Sequence, residues 1–378
     1  MVNRERLCEE FFRLASIASP SLQEGEIARY LQGRFEALGA QVVFDDAAHL
    51  AGGEVGNLIA RFAAVESDGE PLMLSVHMDM VEPAVGVVPQ LKEGVFTSVG
   101  ETVLGADDKA GIAEIIEALE VVHDEAISHP EIEVVVTIGE EIGLVGAKHL
   151  DYSRLKSRRG FALDTSGVDR IILTAPGANR LRFEVTGRES HAGIAPEEGL
   201  SAIVVAAKAV AEMPLGRIDE ETTANIGTIK GGLATNIIPR TVVLHGEARS
   251  HNRDKLAAQT EAMQQAFIEA VEACSTLIGG ELCRPEVRCE VQAEYPQMVV
   301  ERTSPLVLLA EAAAQRLQRQ LAILPGGGGS DANIFNEHGI ETAILGSGME
   351  KVHSVDEYVT VDDLERVSQL LVEIIRLA

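Results

Sequence analysis

LMLSVHMDMV at 72–81, GADDKAGIAEIIEALEVV at 105–122 and IEVVVTIGEEIG at 132–143 together decide the fold. The first and third are apolar runs of strand length that stop where charged residues begin. The second is a glycine-bearing loop followed by an amphipathic helical run. Strand, helix, strand in that order predicts a sheet covered by helices. Further strands are expected at 41–44 and 57–60. Ahead of them Leu7, Phe11, Phe12, Leu14, Ala15 and Ile17 recur at near-helical spacing, and 24–38 is a second amphipathic run, so two surface helices open the fold.

From about Ala175 the pattern changes. Residues 180–186 read as a strand, 200–213 as a helix, 223–229 and 241–248 as strands, 253–273 as a long helix and 286–292 as a last strand. This βαββαβ order is a self-contained α+β unit of the split-βαβ, ferredoxin-like kind. Strand–helix alternation resumes at 305–318, 332–337 and 342–345, and a helix at 361–377 closes the chain. The expected class is therefore α/β. A mixed-sheet domain is built from 1–174 and 294–378, and the α+β domain 175–293 is inserted into it.

A chain of 378 residues is long enough for two such domains. Hydrophobic residues make up 46% and charged residues 24%, the balance of a folded globular protein. The formal net charge of −27 would repel a phosphate backbone, so no nucleic-acid partner is expected. Cys8, Cys274, Cys283 and Cys289 include no CxxC pair and suggest neither a disulfide framework nor a thiolate zinc site. The opening MVNRERLCEEFFRLASI mixes charge into its apolar residues and reads as a helix, not a signal peptide. No run approaches the ~18 apolar residues of a membrane span. A cytoplasmic location without membrane partners is the expectation.

Chemistry-bearing residues gather where the apolar strands end. His77 and Asp79 lie two apart at a strand end and share a side, so the carboxylate can orient the imidazole; alone, such a pair is weak. Asp107 precedes a helix, where sheet enzymes place ligand-binding groups, and Asp108 could equally cap that helix. Glu140 and Glu141 crowd like charge at the end of a buried strand, which a cation would relieve. One would be a ligand and its neighbour a base; a plain turn is the alternative. Asp164 ends another apolar strand, and His353 follows the glycines at 346 and 348. Two imidazoles and three carboxylates (His77, Asp107, Glu141, Asp164, His353) could hold two divalent ions ~3.5–4 Å apart with one carboxylate between them.

Taken in order, HMD, GADDKAG, GEEIG, LDTSG and HS resemble the dimetal exopeptidases and amidohydrolases that include peptidase T, carboxypeptidase G and succinyl-diaminopimelate desuccinylase. GADDKAG and the LD motif are most similar to the peptidase T branch, and the resemblance covers nearly the whole chain. It implies that Asp107 bridges both ions, that His77 and Asp164 complete one position, and that Glu141 and His353 complete the other. Asp79 would orient His77, and Glu140 would be the general base that activates a metal-bridging water. A cis peptide would follow Asp107. The inserted domain would act as a lid and dimerisation surface. There His191, in Ser190-His191-Ala192-Gly193, would stabilise the oxyanion, and Asn236 and Arg249 would hold substrate. His191 alone reads as a surface histidine. The run Gly326–Gly329 lacks the Lys-Ser/Thr ending of a phosphate loop; in the family the matching turn lines the substrate cleft, which points to Gly328, Gly329 and Ser330.

The implied activity is metal-dependent hydrolysis of a small peptide, as a tripeptidase or aminopeptidase. An N-acyl amino acid amidohydrolase or carboxypeptidase-like enzyme is the alternative, and a non-catalytic metal- or peptide-binding module a third reading. Retention of Glu140 beside Glu141 disfavours the third, since a binder needs ligands but no base. Zinc suits the mixed imidazole and carboxylate set, with manganese or cobalt as alternatives. A homodimer formed through the inserted domain is expected.

Overall fold

The computed structural model describes residues 1–378 as two compact units, Met1–Ala175 with Met298–Ala378, and Pro176–Gln297. The second unit closes at Gln297 rather than 293, because its last strand, Glu286–Tyr295, runs on past a register shift between Ala293 and Tyr295.

In the first unit a mixed sheet runs in the order Gln41–Phe44, Leu58–Phe62, Ile132–Thr137, Leu72–His77, Arg159–Ala162, Glu341–Leu345, Arg170–Ala175, Met298–Val299, with Ala322–Pro325 also on Arg170–Ala175. Its centre is parallel: Leu72–His77 pairs in that sense with both Ile132–Thr137 and Arg159–Ala162, and Arg159–Ala162 with Glu341–Leu345. All six residues of Leu72–His77 and of Ile132–Thr137 are buried. That is why these strands read as unbroken apolar runs: a parallel strand covered on both faces has no polar side to alternate. The helix Ala106–Asp124 packs on Leu72–His77 and against Arg4–Ala15 and Val361–Leu377. Buried nearly all round, it shows little of the one-sided pattern of a surface helix. It starts at Ala106, inside the stretch read as a glycine-bearing loop, and Asp107 and Asp108 inside its first turn are non-helical. A separate three-stranded sheet, Pro89–Lys92, Val95–Ser98 and Tyr358–Thr360, was not expected from the sequence.

In the second unit the four long strands Gly177–Thr186, Thr222–Gly231, Thr241–Ser250 and Glu286–Tyr295 are all antiparallel. With the chain-order numbers one to four, the sheet runs 2-3-1-4. This is the ferredoxin-like arrangement of a split βαβ. Helices Ala202–Glu212 and Arg253–Ala273 cover the sheet through Val205, Ala209, Met263 and Phe267, with Phe183 stacked on Phe267 at 4.2 Å.

Candidate metal centre

The carboxyl ends of the central parallel strands deliver the site. His77 is the last residue of its strand, Glu140 comes three residues after Thr137, and Asp164 two after Ala162. Parallel strands end on one edge of the sheet, where open α/β sheets place ligand sites.

His77, 2% exposed, points Nε2 at Asp107 Oδ1, 3.0 Å away. The other oxygen of Asp107 lies 3.2 Å from His353 Nε2, and that nitrogen lies 3.1 Å from Glu141 Oε1. One carboxylate thus serves two imidazoles. The candidate ligand atoms of His77, Asp107 and Glu141 all lie within 4.8 Å of one another. Asp164 accepts a hydrogen bond from Ser330 and shares its electrostatic field with Asp107 and His77. Ser330 caps the helix Asp331–Glu337, and half-buried Gly328 and Gly329 lead into it. The Asp107–Asp108 peptide is cis.

Asp79 ties these pieces together. Fully buried, it places Oδ1 3.4 Å from His77 Nδ1 and its main-chain oxygen 3.1 Å from the same nitrogen. Its carboxylate also accepts the backbone N–H groups of Glu140 at 2.9 Å and Glu141 at 3.2 Å. The two preceding N–H groups are held in the same way: Ile138 donates to Asn57 Oδ1 at 3.1 Å and Gly139 to Glu24 Oε1 at 3.0 Å. Four successive amides of the turn at 138–141 therefore end on buried side chains from three distant places in the sequence. Gly139 takes a φ of +55°, which a residue with a side chain adopts only under strain. Sequence reading did not find Glu24 and Asn57, because nothing in their own neighbourhoods points to position 138.

The electrostatics are those of an anionic pocket. Burial pushes Glu140 well above the carboxylate range, with Asp164 adding to it. Asp164 is raised to about 8 by burial and then by Asp107, and Asp331 to about 6, again by burial first. Asp107 goes the other way: despite burial, hydrogen bonds from His353 and His77 hold it below its ordinary value. Those bonds in turn raise His353 to about 10, and they raise His77 well above its ordinary value against the cost of burial. Converged acids reluctant to ionise, with two imidazoles among them, fit divalent cations bound by mixed nitrogen and oxygen ligands.

His191, Asn236 and Arg249 belong to the second unit. Ala192 N–H donates to Asn236 O at 2.9 Å and Ile238 N–H to Ser190 O at 2.9 Å, so the His191 and Asn236 segments lie side by side. His191 is exposed and its Nδ1 accepts the Gly193 N–H. Arg249 pairs with Glu247 at 3.0 Å.

Residues 73–377 match peptidase family M20/M25/M40. The structure superposes on an aminopeptidase PepT from Bacillus cereus with a TM-score of 0.89 at 40% identity, covering 99% of this chain and 98% of that one. It superposes on a tripeptidase from Staphylococcus aureus with a TM-score of 0.93 at 37% identity, covering 100% and 98%. A peptidase T from Lysinibacillus sphaericus is 28% identical over 82% of this chain and 74% of its own. No helix is long and apolar enough to cross a membrane.

Proposed function

Since this chain belongs to peptidase family M20/M25/M40 and is a metal-dependent hydrolase of peptides, we propose that it works as a tripeptidase-like aminopeptidase on a centre of two divalent ions. The observation that carries this reading is the Asp107 carboxylate, whose two oxygens face two different imidazoles. His77 and Asp164 would hold one ion, Glu141 and His353 the other, and Asp107 both. Bound there, divalent ions polarise a scissile carbonyl and lower the pKa of an attacking water; zinc suits the ligands.

Glu140 does the proton work. Its buried carboxylate takes a proton from the water as the C–O bond forms and passes it to the amine as the C–N bond breaks. His77 is kept in one orientation by Asp79, which leaves Nε2 free toward Asp107. His191 is assigned to oxyanion stabilisation, and Asn236, Arg249, Gly328, Gly329 and Ser330 to substrate. The second unit is assigned as lid and homodimer surface.

A panel of tripeptides, dipeptides, amino-terminally blocked peptides and N-acyl amino acids tests the proposal. Turnover of free-amine tripeptides above all others is expected. Turnover confined to N-acyl amino acids would make the protein an amidohydrolase instead, and no turnover of any of them with two ions bound would make it a binder.

A further inference from the structure

The helix Ala106–Asp124 has no capping side chain of its own, since its N-cap is Gly105 in the left-handed region. The missing acceptor comes from 250 residues away. Glu357 Oε2 accepts the Gly105 N–H at 2.7 Å and Oε1 accepts the Asp107 N–H at 3.0 Å. Glu357 is 1% exposed, so these bonds form away from competing water. The same residue sits four positions after His353, in a loop closed by reciprocal bonds between Glu350 and Tyr358 of 2.9 and 3.1 Å. Within that loop Glu357 N–H donates to Ser354 O at 3.1 Å, and Tyr358–Thr360 is anchored as a strand on Val95–Ser98.

We infer that Glu357 is a positioning residue for the metal centre: its carboxylate sets the loop that aims Asp107, and its place in the His353 loop makes both ion positions depend on one support. The inference rests on the two-ion reading above. A carboxylate beside a helix N-terminus is also favoured by the helix dipole, so the arrangement stabilises the very turn that carries the shared ligand. Glu357 touches neither substrate nor the reacting atoms; it acts through Asp107 and His353.

The test measures Zn²⁺ affinity by chelator competition and, in metal-free protein, hydrogen exchange at the Gly105 and Asp107 amides. Glu357→Gln keeps the shape but turns an NH₂ toward one of two N–H donors. It should weaken both ions roughly 10–100-fold, the scale for losing a group that orients ligands. It should also speed exchange at those two amides. Asp356→Asn removes the same charge from the exposed neighbouring position and should change neither readout. A folded Glu357→Gln with Zn²⁺ affinity equal to the parent's overturns the inference, as does an equal loss in Asp356→Asn. Should Glu357→Gln fail to fold, Glu357→Asp, which keeps the charge and shortens the reach, decides it: weakened Zn²⁺ binding supports the inference and parental binding overturns it. A parent that binds fewer than two ions removes the two-ion reading itself, a result separate from these.

Discussion

Asp107, in the first turn of its helix, and Glu140, in the loop after its strand, are both buried acids, yet the geometry gives them opposite tests. Asp107 lies between His77 and His353, so Asp107→Ala should empty both ion positions, which elemental analysis will show. Loss of only one ion would contradict a shared ligand. On the proposed assignment Glu140→Gln removes a base but no ligand. It should leave two ions per chain and lower kcat by at least ~10²-fold, the usual span for general-base loss; a metal assay beside steady-state kinetics distinguishes the two. Glu140 was legible in the sequence because it stands at the end of an apolar run, and Asp107 because it sits in a glycine-bearing stretch at the head of a helical run. Glu24, Asn57 and Glu357 were not. They act by accepting backbone N–H groups far along the chain, and a hydrogen bond of that kind leaves no periodicity in either partner.

At the scale of an element, the turn at 138–141 shows how much of a site is support. Asn57 bonds Ile138 N–H at 3.1 Å, the Gly146 carbonyl at 2.9 Å and Asp45 Oδ2 at 2.8 Å, all buried. Asn57→Ala leaves the Ile138 N–H and the Gly146 carbonyl without this partner, while Asp45 Oδ2 keeps the Asp151 N–H at 3.3 Å, and each buried polar group so stranded costs ~1–3 kcal/mol. A loss of more than ~2 kcal/mol in urea unfolding is expected; a loss under half of that would mean water replaces the side chain. The strand Ile132–Thr137 that leads into this turn was readable because it is a nearly unbroken apolar run, and the helix 361–377 was expected with the bounds observed because it is long enough to show a pattern. Arg170–Ala175 and Ala322–Pro325 were missed. The first follows a polar loop and is separated from the next strand by a single residue, and the second runs into the glycines at 326–329 with mostly exposed residues.

For the whole molecule, acidity sets the pH response. Burial raises Glu24 from 4.5 to about 7, Asp331 from 3.8 to about 6 and Glu357 from 4.5 to about 7. A raised carboxyl keeps its proton in the folded state where the unfolded chain has released it, so stability falls as pH rises through that window. His353, raised from 6.5 to about 10 mainly by Asp107, acts in the same direction. Its stabilisation is full below 6.5 and is lost as pH climbs toward 10. Metal-stripped protein should therefore melt at progressively lower temperature from about pH 4.5 to 7, and saturating Zn²⁺ should flatten the His353 part of the trend because a bound cation displaces that proton. A metal-free melting temperature that rises between pH 5 and 7 would sink this account. At the same scale, His191→Ala should lower kcat roughly a hundredfold, with melting temperature and metal content unchanged. Near-parental turnover would return His191 to an ordinary surface histidine.

The buried acceptors of the turn at 138–141 also have a place in time. A ribosome delivers Glu24, Asn57 and Asp79 before the amides they hold, so the turn bearing Glu140 can set as soon as it emerges. Its counterpart loop cannot. His353 and Glu357 are translated long afterwards, roughly 10–40 s at ordinary elongation rates. Through that interval the nascent chain holds four of the five candidate ligands, His77, Asp107, Glu141 and Asp164, and on the proposed reading the fifth arrives only with the loop at 350–358.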